Sequence, residues 1–285
     1  MKKNLKSILK EKLQPQELNS LIRSYDIIGD IAVIRIPENL KTQSTTIAET
    51  ILQTHKHVKT ILQQTSAVSG EFRLRQLEWV MGENKTETMH REFGCVFKVD
   101  LERCYFSPRL SYERMRIARL VKPDENVVNM FAGVGSYSVV IAEHSEAEKI
   151  YSIDVNPVAV QYMRENIRLN RVENRVVPLL GDAKLIVTER LRGVADRVLM
   201  PLPEKAYNYL DYALSTLKSS GGYIHYYDFT HAGKGENPIE KLKVRVSERL
   251  RSLGAGFDLP LARVVRTTGP NWYQVVVDVH VLGAP

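Results

Sequence analysis

Cysteine is scarce in this chain, and its continuous apolar runs are short. The two cysteines, Cys95 and Cys104, are too few for a disulfide framework and lack the paired spacing of a zinc site. No apolar run approaches membrane-spanning length, and the charged start at Met1–Lys6 is followed by amphipathic sequence rather than the apolar part of a signal peptide. We therefore expect a soluble, cytoplasmic protein with no metal site and no membrane contact.

Basic residues outnumber acidic ones, 40 to 33, which gives a net charge of +7. This balance favours a polyanionic partner such as nucleic acid, although it does not identify one. The 285 residues, 44% of them hydrophobic, are enough to bury the core of one large domain or two modest ones. A change of pattern along the chain favours two.

The first hundred residues mix helical and strand patterns. Apolar residues recur at helical spacing from Leu5 to Leu13 and again from Ile47 to Leu52. Strand-like runs lie at residues 27–37, 72–80 and 95–99. These patterns predict a small α+β module that ends near Pro108.

From Asn126 onward, strand-like and helical segments alternate. Strands are predicted at residues 127–131, 149–154, 176–180, 197–200 and 222–227. Two later strands, at residues 261–267 and 272–282, are predicted to form an antiparallel hairpin joined at Gly269 and Pro270. The alternation predicts an α/β fold with a doubly wound, mostly parallel sheet and a ligand at the carboxyl ends of its strands.

The segment Asn129–Tyr137 leaves an apolar strand, makes a glycine turn and enters a helix. Gly133 and Gly135 lack the side chains that would block a ligand from approaching the backbone, and Asp154 follows at about the separation at which a carboxylate reaches ribose hydroxyls. A dinucleotide site would need a third glycine where this chain has Ser138. A nucleoside cofactor without a pyrophosphate is therefore predicted, with a purely structural turn as the competing interpretation.

Four segments follow the ends of predicted strands, at residues 131–135, 154–155, 181–182 and 201–203. Because the carboxyl ends of parallel strands meet at one edge of a sheet, we predict that these segments line one cofactor site. Asp182 is placed to accept a hydrogen bond from an adenine amino group. Its competing interpretation is a helix N-cap, a position that favours aspartate.

Several motifs together resemble one family. They are residues 105–114, 130–135, 154–157 and 29–34. Over nearly the whole chain they are similar to the archaeal and eukaryotic tRNA (guanine-37-N1)-methyltransferases, and residues 131–135 resemble the first motif of class I S-adenosylmethionine-dependent methyltransferases. The resemblance implies a class I, Rossmann-like catalytic domain at residues 109–285, preceded by a small α+β tRNA-recognition domain at residues 1–108.

The resemblance also implies a cofactor, a partner and roles for individual residues. S-adenosylmethionine would be the cofactor and the anticodon arm of tRNA the partner, and no stable protein partner is predicted. Glu113 would be the general base for guanine N1, and Arg73 would stabilise the charge that builds on O6. The predicted cofactor-binding residues are Tyr105, Phe131, Ala132, Gly133, Val134, Gly135, Asp154, Val155, Asp182 and Pro201. The predicted substrate-binding residues are Arg75, Arg109 and Pro203.

These roles have ordinary competitors. Glu113, Arg114 and Arg116 could form a solvated helix face, and Arg73 and Arg75 could merely contact RNA phosphates.

The chain also departs from the family pattern. Asn129 stands where the family usually has an acidic residue, and Pro201 replaces an asparagine whose amide could read a guanine edge. Many archaeal members carry an extra N-terminal domain, and we expect this chain to be a shortened form without it. The alternatives are an aminocarboxypropyl transferase of tRNA wyosine synthesis and a noncatalytic tRNA-binding homologue.

Overall fold

Residues 5–283 are described by a computed structural model. They divide into two units, the first ending at Arg109 and the second beginning at Leu110. Each unit has its own sheets and its own apolar core.

The first unit combines three helices with six strands. The helices are α1 (Leu5–Leu9), α2 (Pro15–Ser20) and α3 (Ser44–Thr54). The strands are β1 (Asp26–Ile28), β2 (Ile31–Ile34), β3 (Thr60–Gln64), β4 (Leu77–Gly82), β5 (Glu87–Glu92) and β6 (Cys95–Asp100). Strands β1 to β4 form a sheet in that order, and β5 pairs with β6 in a hairpin. The predicted α+β module is therefore present.

A turn shortens one predicted strand of this unit. The run 72–80 alternates like a strand, but β4 begins only at Leu77. Ser69 and Leu74 bridge across a turn in which Arg73 adopts a positive φ of 55°. An arginine in this conformation is uncommon, and side-chain alternation does not reveal it.

The second unit alternates strands and helices before it ends in a hairpin. Its helices are α4 (Ser111–Ala118), α5 (Ser136–His144), α6 (Pro157–Leu169), α7 (Ala183–Ile186), α8 (Pro203–Thr216) and α9 (Pro238–Ser252). Its strands are β7 (Asn126–Asn129), β8 (Lys149–Asp154), β9 (Val176–Leu180), β10 (Arg197–Met200), β11 (Gly222–His231), β12 (Phe257–Gly269) and β13 (Trp272–Val281). Within residues 5–283, no helix is long and apolar enough to cross a membrane.

The seven strands form one sheet in the order β12-β13-β11-β10-β7-β8-β9. Strands β7 to β11 are parallel, and β13 runs antiparallel to both β11 and β12. The predicted α/β fold and the antiparallel hairpin are confirmed. The chain moves outward from β7 to β9 and then returns to the other side of β7 with β10. A doubly wound sheet binds its ligand at such a switch point.

Proline residues begin three of the helices around this sheet. Pro157 and Pro238 occupy first-turn positions, and the side chains of Asn156 and Asn237 accept backbone N–H bonds as N-caps. Pro203 begins α8. A proline at this point removes a donor that a helix could not satisfy internally, so each helix has a defined start.

A row of buried ionisable side chains crosses the sheet. Arg197 on β10 contacts Glu125 at 2.7 Å and Nε2 of His225 on β11 at 2.8 Å. Nδ1 of His225 lies 2.6 Å from Asp278 on β13, and Asp278 accepts two hydrogen bonds from Arg116, at 2.6 and 3.1 Å. We call these five residues the buried polar row. None of their side chains is more than 12% exposed.

The contacts of the buried polar row determine the tautomer of His225. A guanidinium group only donates, so Nε2 of His225 accepts a hydrogen bond from Arg197. Nδ1 therefore carries the ring proton and donates a hydrogen bond to Asp278. Burial lowers the pKa of His225, which agrees with this neutral ring. Burial alone would raise the pKa of Asp278, but His225 and Arg116 outweigh it and hold that pKa well below its usual range.

We expect acidification to destabilise the fold through His225. Its folded-state pKa lies below that of the unfolded chain, about 6.5. The unfolded state therefore binds the extra proton as pH falls below that value, and the free energy of unfolding decreases by at most about 1.4 kcal/mol per pH unit. Urea unfolding followed by circular dichroism at pH 7.5, 6.5 and 5.5 measures this slope.

The His225→Gln variant should show a smaller loss between these pH values than the wild type. The exposed His144 provides the matched control, and His144→Gln should keep the wild-type slope. An unchanged slope in His225→Gln would contradict a neutral buried imidazole.

Candidate active site

A glycine loop, residues 130–135, connects β7 to α5 at the carboxyl end of the sheet. Gly133 and Gly135 have positive φ angles of 57° and 85°, which glycine adopts without strain. A Cβ atom at Gly135 would lie 2.8 Å from Cγ of Met163, so the packing against α6 also requires glycine there. Backbone bonds from Ala132 to Ile153 and from Gly135 to Ala132 hold the loop. The glycines permit the conformation of the loop, and contacts with Ile153 and Met163 hold it.

Asp154, the last residue of β8, binds this loop. One carboxylate oxygen accepts the Gly133 N–H at 2.7 Å, and the other accepts the Asn156 N–H at 2.9 Å. Burial raises the pKa of Asp154, and these backbone hydrogen bonds oppose the shift. Two carboxylate oxygens offer about four acceptor positions, so room remains for ribose hydroxyls. The predicted ribose contact is compatible with the geometry and stays a prediction.

Asn129 and Ser138 form a polar contact behind the loop. Asn129 is fully buried, donates to the Ser138 hydroxyl at 3.2 Å and accepts from the Phe131 N–H at 3.4 Å. Ser152 on β8 lies 2.7 Å from the same hydroxyl. The serine that replaces the third glycine of a dinucleotide motif therefore joins β7, α5 and β8.

Asp182 caps a helix, as its competing interpretation predicted. Its carboxylate accepts the Lys184 N–H at 2.8 Å at the start of α7. It also accepts from the Tyr209 hydroxyl at 3.1 and 3.2 Å. The ring of Phe131 packs edge-on against Tyr209, with centroids 5.1 Å apart. Contact with an adenine amino group stays a prediction, since the cap leaves acceptor positions on the carboxylate.

The remaining strand-end residues differ in accessibility. The side chain of Val134 is buried, so little of it is accessible to a ligand. Its carbonyl accepts a hydrogen bond from Asn166 at 3.0 Å. Val155 and Pro201 are partly exposed at the ends of β8 and β10, whereas Pro203 is buried in the first turn of α8. Their contacts with cofactor and substrate stay predictions.

Glu113 is enclosed rather than solvated. It lies in the first turn of α4, is only 1% exposed and accepts hydrogen bonds from Arg116 at 2.7, 3.0 and 3.1 Å. The Tyr227 hydroxyl donates to it at 2.7 Å, and Arg263 donates from β12. The prediction of a solvated face is wrong for Glu113 and for Arg114, which is also 1% exposed.

Glu113 lies at the same edge of the sheet as the glycine loop. The last residue of β10, Met200, pairs with Tyr226, so Tyr227 is just past the carboxyl end of that strand. The Tyr227 ring also contacts the ring of Tyr137, two residues after Gly135, at a centroid distance of 6.4 Å. Burial raises the pKa of Tyr227 well above its usual value, so its hydroxyl stays a donor to Glu113. The Glu113 carboxylate is thereby linked, through Tyr227 and Tyr137, to the helix that follows the candidate cofactor loop.

The sequence interpretation missed three residues around Glu113: Tyr227, Arg263 and Asp278. Each belongs to a strand far along the chain. An ionisable residue within an otherwise apolar strand, such as Asp278 in β13, was the available signal, because a buried charge requires a partner.

Four predicted residues of the first unit also lie together. The guanidinium of Arg73 stacks 4.4 Å from the ring centre of Tyr105, and Arg109 donates to Asp26 at 2.6 Å. Burial lowers the pKa of Arg75, and the charges of Asp26 and Tyr105 oppose that shift. Arginine stays protonated at neutral pH despite such a shift. These five residues form what we call the arginine–tyrosine cluster.

The donor set of the second unit fits a nucleoside cofactor. Asp154 keeps acceptor positions, the glycine loop presents backbone, and the half-buried Phe131 offers an apolar ring at the same edge. Among residues 5–283, no group of three or more His, Cys, Asp or Glu side chains is arranged to hold a metal ion.

Two family models match the chain. The TRM5/TYW2 methyltransferase domain matches residues 88–252, and the TYW2 N-terminal domain matches residues 5–86. Together they cover most of both units, and residues 253–285 lie outside them.

Named relatives and a solved structure agree with these matches. A Pyrococcus abyssi protein named tRNA (guanine(37)-N(1))-methyltransferase Trm5b is 41% identical over 94% of this chain and 78% of its own. A Saccharolobus solfataricus protein named tRNA 4-demethylwyosine(37)-methyltransferase Taw21 is 37% identical over 96% of this chain and 99% of its own. Relatives named aminocarboxypropyltransferases match at 35% and 34% identity. A structure described as the complex of aTrm5 and tRNALeu has a TM-score of 0.83 at 34% identity, covering 99% of this chain and 78% of that one.

Proposed function

Because the chain belongs to the TRM5/TYW2 methyltransferase family, we propose that it transfers the methyl group of S-adenosylmethionine to N1 of guanosine 37 in tRNA. The predicted family and its α/β methyltransferase fold are confirmed. The observation that carries the proposal is the buried carboxylate of Glu113, which Tyr227 links to Tyr137 on the helix that follows the glycine loop.

Glu113 acts as the general base in this proposal. Guanine N1 carries a proton that must leave as N1 attacks the methyl carbon, and a carboxylate within hydrogen-bond reach can accept it. The guanidinium groups of Arg116 and Arg263 favour the ionised carboxylate, which is the form that a base requires. The side chain of Arg263 is 28% exposed, more than that of Arg116. The position of Arg263 beside Glu113 is therefore the more accessible to the guanine of the substrate.

The cofactor supplies an electrophilic methyl group when it is bound. Asp154 would accept from its ribose hydroxyls, and the backbone of the glycine loop and the ring of Phe131 would help to hold it. Asp182 accepts from the adenine amino group with the acceptor positions that the helix cap leaves. What supports these roles is the convergence of these residues at one edge of the sheet.

We assign tRNA recognition to a first domain at residues 1–108 and catalysis to a second at residues 109–285. Arg73 stabilises the negative charge that develops on guanine O6, since a guanidinium offers directed donors. Arg75 and Arg109 contact phosphates, and Tyr105 contributes a ring beside the cofactor. The arginine–tyrosine cluster and the net charge of +7 support an RNA partner. We assign the reaction to the cytoplasm as part of the same proposal.

Methyl transfer is favoured over aminocarboxypropyl transfer because the relatives with 41% and 37% identity are both named methyltransferases. Those two relatives differ in the base that they are named for, guanine and 4-demethylwyosine. Pro201 offers a base only its backbone carbonyl and a small apolar ring. A tricyclic base is therefore a second candidate acceptor.

Mass spectrometry of nucleosides tests the proposal. The protein is incubated with S-adenosylmethionine and a tRNA transcript that carries guanosine at position 37, and the nucleosides are then analysed. We expect N1-methylguanosine in this transcript and none in a matched transcript with adenosine at position 37. A third tRNA, which carries 4-demethylwyosine, separates the alternatives by the added mass.

Three results would contradict the main assignment. A methyl group found only on 4-demethylwyosine would reassign the acceptor base, and an aminocarboxypropyl increment would reassign the transferred group. Tight tRNA binding without modification of any of the three substrates would indicate a noncatalytic homologue.

A further inference from the structure

Two arginines, Arg116 and Arg263, contact Glu113, and Arg116 is the more constrained of them. Its Nε and Nη2 atoms donate to Glu113 at distances between 2.7 and 3.1 Å, while Nη1 and Nη2 donate to Asp278 at 2.6 and 3.1 Å. Every nitrogen of the guanidinium therefore has a carboxylate partner. Paired contacts of this kind fix orientation as well as distance, because the guanidinium is planar.

Asp278 is itself held in place. The Asp278 oxygen that accepts a hydrogen bond from Nη2 of Arg116 also accepts one from Nδ1 of His225, at 2.6 Å. His225 is oriented in turn by Arg197, which Glu125 binds at 2.7 and 3.0 Å. The buried polar row thus runs from β10 through β11 and β13 to Glu113 without an interruption.

Such a row is more than a stabilising feature of the sheet. Replacing buried ionic groups by apolar residues is often neutral or stabilising, so buried ion pairs are weak grounds for stability alone. The row ends on the carboxylate that the proposed reaction uses as its base, and a base works best when a further group orients it.

We infer that Arg116, clamped by Asp278, which His225 holds in turn, is a positioning residue that fixes the Glu113 carboxylate for removal of the guanine N1 proton. The inference rests on the proposed function. Arg116 stays bound to Glu113 throughout turnover, whereas Arg263, with one contact to Glu113, yields its place to the substrate base.

All the polar groups that face Glu113 affect its readiness to accept a proton. Arg116 faces it from α4, Tyr227 from β11 and Arg263 from β12. Asp278 on β13 acts through Arg116, and Tyr137 on α5 acts through Tyr227. Removing the cation Arg116 and removing its counter-charge Asp278 should therefore shift the pH dependence of kcat in opposite directions.

The test compares Arg116→Met, Arg116→Lys and Asp278→Asn in the full chain with a tRNA that the wild type methylates. We expect Arg116→Met to lower kcat about 10- to 100-fold, less than the loss from removing the base itself. The KM for tRNA and the affinity for S-adenosylmethionine should not change. Arg116→Lys should recover part of the loss, because a lysine keeps the charge without the paired geometry.

The pH profile of kcat separates positioning from a general structural role. The acid limb should move to higher pH by about one unit in Arg116→Met, which has lost a cation beside Glu113. The acid limb should move to lower pH in Asp278→Asn. Without the negative charge of Asp278, the positive charge of Arg116 acts more strongly on Glu113. The control is Lys218→Met, which removes a 2.7 Å ion pair with Asp196 elsewhere in the unit and should leave kcat and the profile unchanged.

Each outcome decides the inference. Opposite shifts of the acid limb with unchanged cofactor affinity support positioning. An unchanged kcat and profile in Arg116→Met, or equal losses of kcat and cofactor affinity in all three variants, overturn it. If the wild type transfers no group to any tRNA, the proposed function and the inference are both overturned. This failure appears with the wild-type protein alone, whereas failure of the inference alone appears only in the variants.

Discussion

Replacing Glu113 with glutamine should lower kcat by about 100- to 10,000-fold, because an amide cannot take up the guanine N1 proton. Glutamine keeps the size of the side chain and one oxygen that can accept from Arg116 and Tyr227. The affinities for S-adenosylmethionine and tRNA should therefore remain at wild-type values. Single-turnover kinetics on a guanosine-37 transcript, with cofactor binding measured by calorimetry, checks both parts.

The matched control for this variant is Glu143→Gln, which makes the same change on the exposed face of α5. It should leave kcat unchanged. Unchanged turnover in Glu113→Gln would remove Glu113 as the base. A loss of turnover accompanied by a loss of cofactor binding would indicate instead that Glu113 mainly maintains the structure between α4 and the sheet.

Replacing Asp154 with alanine should weaken cofactor binding strongly. The carboxylate holds the N–H groups of Gly133 and Asn156 and is assigned the ribose hydroxyls as well. Hydrogen bonds to a charged group contribute about 1.5–3 kcal/mol each, so the Kd for S-adenosylmethionine should rise about 10- to 100-fold. Calorimetric titration of the variant with S-adenosylmethionine measures this change.

Asp154→Asn should fall between the alanine variant and the wild type, because its amide keeps one acceptor oxygen. Asp258, which is exposed on β12, provides the control, and Asp258→Ala should bind the cofactor with the wild-type Kd. If Asp154→Ala also kept that Kd, the strand-end residues around Asp154 would not form the cofactor site.

Local patterns predicted most of the second unit. The runs 149–154, 176–180 and 197–200 coincide with β8, β9 and β10, because short apolar runs between turn residues are typical of buried parallel strands. The strand predicted to reach Phe131 ends at Asn129, where the glycine loop begins. Parallel order then determines which strand ends share an edge, so the convergence of the loop and Asp154 could be predicted as well.

The surroundings of Glu113 could not be predicted in this way. Its charge and the neighbouring Arg114 and Arg116 are typical of a solvated helix face, and periodicity carries no information about what lies opposite. The enclosure of Glu113 involves Tyr227 on the parallel strand β11, and Arg263 and Asp278, which the antiparallel return of β12 and β13 brings to it. Topology, rather than local pattern, decided this part of the site.

The first unit shows the same limit at Arg73. Alternation over residues 72–80 predicts a strand, and only the backbone conformation reveals the turn that directs Arg73 over Tyr105. The two residues belong to separate motifs, and no local rule connects them.

The late strands β12 and β13 also bear on how the protein is made. Glu113 accepts hydrogen bonds from residues 114 and 150 positions further along the chain, and its partner Arg116 donates to Asp278, 162 positions beyond Arg116. A ribosome synthesises the glycine loop, Asp154 and Glu113 well before it reaches Arg263 and Asp278, so the nascent chain carries the proposed cofactor-binding residues while Glu113 has only part of its partners. The enclosure of Glu113 requires β12 and β13, so the proton removal that we propose for Glu113 depends on completion of the sheet.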